Sequence, residues 1–379
     1  MDLKFNEQQV MLRETVRRLC DDHMTLADVR KWEYTDVGYS SEFWQQLCEM
    51  GITGLRVSEE DGGLGLGALD EVVVYEEFGT ELALSPHFVS SVLSVAFLAR
   101  AATAAQKSRW LPAIASGEIL CTIAWLEQGN GYGPRGVQLK AEKNSDGYVL
   151  DGEKTLVPYA NTATHMLVLA RTGNSAGDVS VFMVERDAAG VENKNQPTQS
   201  GEAMCKVTLS SVQLDVDARI GGSEFVWEHW EAAVSEANIS NAALAIGSAK
   251  RVHDITTEYS KVREAFGQPI GGFQAIAHYL ADALVEIEGT QTLVHQAAWA
   301  RDNGKDFVQL AAMAKMQACD VFARMTSKAI QIHGGLGCTT EADPQLYYRR
   351  AKQQQLMYWD PTYLEDKIAT LIFGEIEAV

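Results

Sequence analysis

The stretch Arg263-Glu264-Ala265-Phe266-Gly267-Gln268-Pro269-Ile270-Gly271-Gly272-Phe273-Gln274 joins an arginine, an aromatic ring, a glycine-rich bend and a glutamine that opens the next helical segment. A guanidinium neutralises a diphosphate through paired hydrogen bonds, and a glycine bend turns backbone amides toward the same anion. The chemistry this pattern offers is the holding of a phosphate-bearing ligand. A second glycine cluster, Asp61-Gly62-Gly63-Leu64-Gly65-Leu66-Gly67, lets the chain turn where side chains would clash, but it lacks the GxGxxG spacing and the preceding strand of a dinucleotide fold.

Other reactive residue types point to structure. Cys20, Cys48, Cys121, Cys205, Cys319 and Cys338 are far apart, without the short spacings of a zinc knuckle or redox motif. They read as reduced core thiols and imply a cytoplasmic protein with no metal site. His333, beside Gly334 and Gly335, reads as a packed or hydrogen-bonded residue. Trp227 and Trp230 share one helix face and read as core or interface, and Arg135 reads as a solvated charge.

The elements that must position the glycine-rich block follow from periodicity. From Phe5 to about Leu120 apolar residues recur at three and four, as in Leu12, Val16, Leu19 and then Phe43, Leu47, Met50, which predicts packed amphipathic helices. Between Cys121 and Asp215 the pattern alternates: Val137, Leu139 and Ala141, a turn at Asn144 to Gly147, then Tyr148 to Leu150 before Asp151-Gly152. Further strands are expected at His165 to Arg171, Val179 to Glu185 and Lys206 to Asp215. After Gly221-Gly222 the helical period returns and is broken near Pro269 and at Gly334 to Gly337. The expected domains are 1–120, helical; 121–222, a β-barrel or sandwich; and 223–379, a helical bundle.

The chain has 379 residues, 46% of them hydrophobic, enough for two or three packed layers. A formal charge of −19 repels nucleic-acid phosphates and anionic membrane surfaces, so an anionic ligand needs a local basic pocket. No apolar signal core or spanning stretch is apparent, so neither export nor membrane insertion is expected.

The Arg263 to Gln274 block closely resembles the RxxFG…FQ signature of acyl-CoA dehydrogenases, and Gln331-Ile332-His333-Gly334-Gly335-Leu336-Gly337 resembles the family's second C-terminal motif. The likeness extends to the Gly-Gly-Leu-Gly segment, the loop from Glu127 to Gly133, and Gly152-Glu153-Lys154. It implies an α+β fold in three parts: an N-terminal helical domain, a middle β domain and a C-terminal four-helix bundle. By this likeness Arg263, Phe266 and Gln274, with Gln331, Gly334 and Gly335, hold the diphosphate and adenine end of an FAD belonging to a neighbouring subunit. Trp125 to Glu127 and Leu156 to Pro158 match the segments that pack the flavin ring, with Trp125, Leu126, Leu156 and Pro158 as its contacts. The resemblance also implies an acyl-CoA substrate, a tetramer built as a dimer of dimers, and an electron-transfer flavoprotein as acceptor.

In the family's reaction a carboxylate removes the proton α to the thioester carbonyl while the β hydride moves to the flavin, giving a 2-enoyl-CoA. The late Tyr-Glu-Gly-Thr segment that carries that glutamate in many members is replaced here by Met357-Tyr358-Trp359-Asp360-Pro361-Thr362. The alternative positions on the first long C-terminal helix are Ala237 and Leu244, both apolar. Two carboxylates stand near these positions, Glu236 and Asp360, and are the candidate bases. A shift of one residue turns a helical side chain by about 100°, which counts against Glu236. Asp360 also suits the N-cap of a last helix with Pro361 at its first position.

The flavin segment departs as well. Leu126 replaces a hydroxyl residue, and Leu156-Val157-Pro158 replaces a Trp-Ile-Ser/Thr run, so Pro158 has no amide hydrogen to give. These departures resemble a bacterial subclass acting on bulky thioesters such as steroid side-chain acids, some of which assemble from two different subunits. The leading expectation is FAD-dependent acyl-CoA dehydrogenation, as a homo-tetramer or with a homologous partner that supplies the base. The competing readings are a flavin monooxygenase on the same fold and a non-catalytic partner subunit.

Overall fold

The computed structural model describes residues 4–222 and 224–374. Its helices are α1 (Glu7–His23), α2 (Leu26–Trp32), α3 (Ser41–Glu49), α4 (Ala68–Thr80), α5 (Val95–Ala101), α6 (Ala104–Ala115), α7 (Trp227–Val262), α8 (Gln274–Asp302), α9 (Val308–His333), α10 (Pro344–Leu356) and α11 (Pro361–Phe373). Its strands are β1 (Cys121–Ala124), β2 (Lys140–Lys143), β3 (Gly147–Pro158), β4 (His165–Arg171), β5 (Val179–Glu185), β6 (Val191–Gln196), β7 (Met204–Asp215), β8 (Glu264–Ala265) and β9 (Gln268–Pro269). The order helical, β, helical is the expected one. Among the described residues no helix is long and apolar enough to cross a membrane.

The chain packs as two compact units. The first comprises residues 1–30, 67–83 and 238–379. It joins α1 and α4 to the C-terminal helices through buried polar groups and close backbone approach. Glu76 of α4 is buried and takes hydrogen bonds from Arg13, Gln291 and the His295 ring, and Ser240 donates to buried Glu71 at 2.6 Å. Helices α4 and α7 approach at two glycines: a Cβ on Gly79 would lie 2.2 Å from the Leu244 carbonyl oxygen, and one on Gly247 would lie 2.0 Å from that of Glu76. Neither position admits a side chain without moving backbone.

The second unit comprises residues 31–66 and 84–237 and holds the main sheet. The strands of the expected β region form one mixed sheet of seven, in the order β1-β4-β2-β3-β7-β6, with β5 on β4. Strand β4 pairs antiparallel with β5 over its full length and parallel with β1 over His165 to Val168, and it meets β2 at Arg171. Leu139, Leu150, Val157, Met166, Val168, Phe182, Val207 and Val212 fill its core. The β2–β3 turn closes with the Asn144 amide on the Gly147 carbonyl at 3.0 Å.

One sequence expectation needs correction. All six cysteines are free, but Cys338 is exposed and Cys48 half-buried, so they are not uniformly core thiols. Cys338 follows the glycine break after α9, where the chain has left the packed face of the helix.

Candidate active site

In the first unit, Arg263 ends α7 and the chain turns back through the β8–β9 hairpin, whose two loop residues are Phe266 and Gly267. Both have positive φ, 54° and 83°, as a type I′ turn requires. Glycine accepts that conformation freely, whereas a phenylalanine there is strained. Its ring is 96% exposed and touches the Phe273 ring edge-on at 6.1 Å. The Ile270 amide donates to the Arg263 carbonyl at 2.8 Å, which fixes the bend, and Gln274 begins α8 with an exposed side chain. The exposed Arg263 guanidinium has no ion pair or hydrogen bond among the described residues.

Helix α9 ends with exposed Gln331 and then Gly334, whose amide caps the Gln331 carbonyl and whose φ is 62°. Gly334 and Gly335 are exposed, and a Cβ at either would meet nothing within 4 Å. His333 beside them is a packing residue: buried, with Nδ1 2.8 Å from the Ala329 carbonyl and its ring stacked on Tyr259 at 4.1 Å. Burial holds its pKa below the ordinary value.

In the second unit the segments expected to pack a flavin ring are built differently. Trp125 follows β1, is buried, and packs edge-on against Trp230, which packs in turn against Phe97. Lys154 of β3, wholly buried, donates to the Trp125 carbonyl at 3.1 Å and to Glu127 Oε1 at 2.7 Å. Glu127 also accepts from the backbone amides of Gln138 and Leu139. Burial lowers the Lys154 pKa to about 8, against the opposing pull of Glu127. The Leu126 carbonyl accepts the Thr155 amide at 2.8 Å. Register shifts between Lys154 and Val157, which places Leu156 at φ 51° in a bulge. Its amide is satisfied at 2.8 Å by the Gln196 side-chain oxygen, which also accepts from the Thr155 hydroxyl. Pro158 is buried, and its carbonyl accepts the Thr122 hydroxyl.

Both candidate bases are engaged. Glu236, on α7, is 4% exposed and ion-paired through one oxygen with Arg56 at 2.5 Å and through the other with Arg100. Asp360 caps α11, accepting the Tyr363 amide at 2.9 Å, with Pro361 at the first helical position. The two residues before it, Tyr358 and Trp359, have φ of 54° and 79°. Asn238 donates to the Tyr358 carbonyl at 3.0 Å, and Trp359 is buried.

Comparison with known proteins identifies this scaffold. Residues 6–118, 122–215 and 227–357 match, respectively, the N-terminal, middle and C-terminal domains of acyl-CoA dehydrogenases. A probable acyl-CoA dehydrogenase of Bacillus subtilis, YngJ, is 30% identical over 94% of this chain and 95% of its own length. The chain belongs to the acyl-CoA dehydrogenase family. Butyryl-CoA dehydrogenase from Megasphaera elsdenii superposes with a TM-score of 0.91 at 26% identity, covering 98% of this chain and 100% of that one. The ChsE4–ChsE5 complex from Mycobacterium tuberculosis contains a chain that superposes at 0.88 and 27% identity, over 99% and 100%.

For an acyl-CoA dehydrogenase, FAD is the implied cofactor, and the two halves of this chain fit it unequally. The exposed guanidinium, glutamines and open glycines of the first unit suit an extended anionic group. In the second unit Pro158 has no amide hydrogen, and that of Leu156 is already taken by Gln196. Sequence reasoning named neither Gln196 nor the Arg56–Glu236–Arg100 cluster. Those residues are scattered along the chain, Arg56 lying 180 positions before Glu236, and no local pattern marks them.

Proposed function

We propose that the chain is a subunit of an FAD-dependent acyl-CoA dehydrogenase that contributes the diphosphate and adenine half of a shared site, while a homologous partner supplies the base. The observation that carries this reading is the engagement of both candidate carboxylates: Glu236 lies between two arginines and Asp360 caps a helix. Moving the Glu236 carboxylate out from between its arginines costs several kcal/mol, and Asp360 is held in its cap by about 1 kcal/mol.

In this reading FAD, when bound, accepts the β hydride of the acyl thioester. Arg263 and the amides of the Gly334–Gly335 turn neutralise the diphosphate, and Gln274 and Gln331 orient the adenine end. The Phe266 ring, exposed and conformationally strained, supplies apolar cover for a ligand or neighbouring subunit. The Lys154–Glu127 pair fixes the Trp125–Glu127 segment without donating to the ring. The domains are 1–120, 121–222 and 223–379, the assembly is a tetramer, the electron acceptor an electron-transfer flavoprotein, and the compartment the cytoplasm. A bulky, steroid-type acyl group is the substrate, supported by the departures at Leu126, Leu156 and Pro158. The two-protein complex among its structural neighbours supports the heteromeric form.

The test is flavin stoichiometry and the visible spectrum of the chain alone, then of the chain with a homologous partner, each titrated anaerobically with short and bulky acyl-CoA thioesters. Sub-stoichiometric flavin alone, restored together with substrate bleaching by the partner, is the expected result. Full occupancy and bleaching by the chain alone would instead make it a self-sufficient homomer.

A further inference from the structure

Helix α9 carries a lysine and a cysteine one turn apart whose heads meet inside the first unit. Lys315 is wholly buried and Cys319 is 2% exposed, and Nζ lies 3.1 Å from Sγ. Residues four apart on a helix face are neighbours, so this approach needs no backbone adjustment. The other partner of Nζ is the carbonyl of Gln354, in the last turn of α10, and the thiol lies 3.6 Å from the same oxygen. A cation there complements the carbonyl end of α10. No carboxylate pairs with Lys315 among the described residues, so nothing but the thiol and this carbonyl holds the amine.

We propose that Lys315 and Cys319 form an oxidative modification site, closing on reaction with hydrogen peroxide into a covalent Nζ–Sγ cross-link. In the first step the thiol passes its proton to the adjoining Nζ as the sulfur attacks one peroxide oxygen. The O–O bond breaks, and the departing hydroxide takes a proton from Nζ to leave as water. Sulfur is oxidised by two electrons to the sulfenic acid, and peroxide is reduced by the same two. In the second step the lone pair of the now neutral Nζ attacks Sγ. The S–O bond breaks, and the hydroxide leaves with a second Nζ proton as another water. The sum is thiol, amine and one peroxide giving a sulfenamide and two waters, a net loss of two hydrogens from the protein.

Geometry favours this outcome over further oxidation. The amine is at contact distance before the sulfenic acid forms, so the condensation is intramolecular and competes well against a second peroxide. Access requires opening of the last turn of α10, whose final residue Leu356 is 51% exposed, and helix ends open at low free-energy cost. Cross-linking also leaves Nζ uncharged and with a single hydrogen opposite the Gln354 carbonyl, a few residues before the strained Tyr358-Trp359 pair. Cys338 is the internal contrast: it is exposed, and among the described residues no amine lies against it.

The experiment is tryptic mapping of the whole chain after graded peroxide, without reductant. Trypsin normally cuts after Lys305, Lys315 and Arg324. The expected result is loss of cleavage after Lys315 and appearance of an Asp306–Arg324 product lighter by two hydrogens, apart from any oxygen on its methionines. A thiol reductant should restore both peptides. In Lys315→Arg protein, cleavage after position 315 should persist, and Cys319 should instead carry sulfinic acid; Cys319→Ala should never show the uncut product. The proposal is overturned if, at peroxide sufficient to oxidise Cys338 fully, wild-type protein still yields separate Asp306–Lys315 and Met316–Arg324 peptides. This test reads no flavin and no turnover, and is independent of the function proposed above.

Discussion

Arg263 and Leu156 stand in segments that we propose serve opposite ends of one cofactor, and their polar groups are in opposite states. The Arg263 guanidinium is exposed without a partner among the described residues, beside open glycines and a strained, exposed phenylalanine. The Leu156 amide is bound by Gln196, the Leu126 carbonyl by Thr155, and the Trp125 carbonyl by a buried lysine. Groups left exposed and unbonded are ready for a ligand, because binding has no internal hydrogen bond to break. Groups already satisfied are committed to the fold, since each must give up a hydrogen bond worth about 0.5–1.5 kcal/mol before it can serve a ligand. The contrast is therefore one of available against committed polarity within a single chain.

Glu236 tests the committed side most severely. Glu236→Gln removes the buried anion that Arg56 and Arg100 both bond, for an expected stability loss of about 3–5 kcal/mol. Chemical denaturation measures it directly. A variant with wild-type stability and no turnover would make Glu236 the base and break the comparison.

Lys154 gives the next effect, with a defined pH window. Its folded pKa, about 8, lies below the 10.5 of an unperturbed lysine, so between those values the unfolded chain binds the extra proton. Stability conferred at this site therefore rises as pH goes from about 8 toward 10.5, and the charged form below that window is the costly one. Relative to Lys154→Met, which cannot titrate, wild type should gain up to ~3 kcal/mol over that range. Parallel pH profiles of the two proteins would remove the premise of a buried, committed cation.

Arg263 tests the available side. Arg263→Ala should leave the denaturation midpoint unchanged, as the side chain bonds nothing among the described residues. Flavin affinity of the assembled enzyme should fall by about 2 kcal/mol, roughly thirtyfold, the scale of a hydrogen bond to a charged group. A loss of stability without loss of flavin would reverse the assignment of the two regions.

How much of this was legible beforehand follows the same division. Available groups sit in contiguous motifs, so the Arg263 to Gln274 block and the Gln331 to Gly337 turn announce themselves through glycine and periodicity. Strands β4 and β5 were readable to the residue because their apolar runs are continuous. Strand β6, Val-Glu-Asn-Lys-Asn-Gln, was not, because it is polar after its first residue and is held by its ladder to β7. Its last residue is Gln196, so the side chain that occupies the Leu156 amide lay in an element no pattern revealed. Continuation of β3 beyond Gly152 was hidden likewise, since glycine and proline read as turn signals where the structure has two bulges and a strand end. The Glu236 cluster assembles from three distant positions, and only tertiary packing creates it.

Asp360 offers the smallest effect and the finest discrimination, because cap and base make different demands on one carboxylate. A cap needs an oxygen that accepts the Tyr363 amide, which asparagine supplies as well as aspartate; a base needs a site that takes a proton, which asparagine lacks. Asp360→Ala should cost about 1 kcal/mol of stability, with loss of amide-exchange protection confined to the first turn of α11. Asp360→Asn should restore both. If Asp360 only caps, turnover of the assembled enzyme will also be unchanged in the asparagine variant. If the asparagine variant is as stable as wild type yet inactive, the carboxylate is the base, and the late loop of this chain joins the available region.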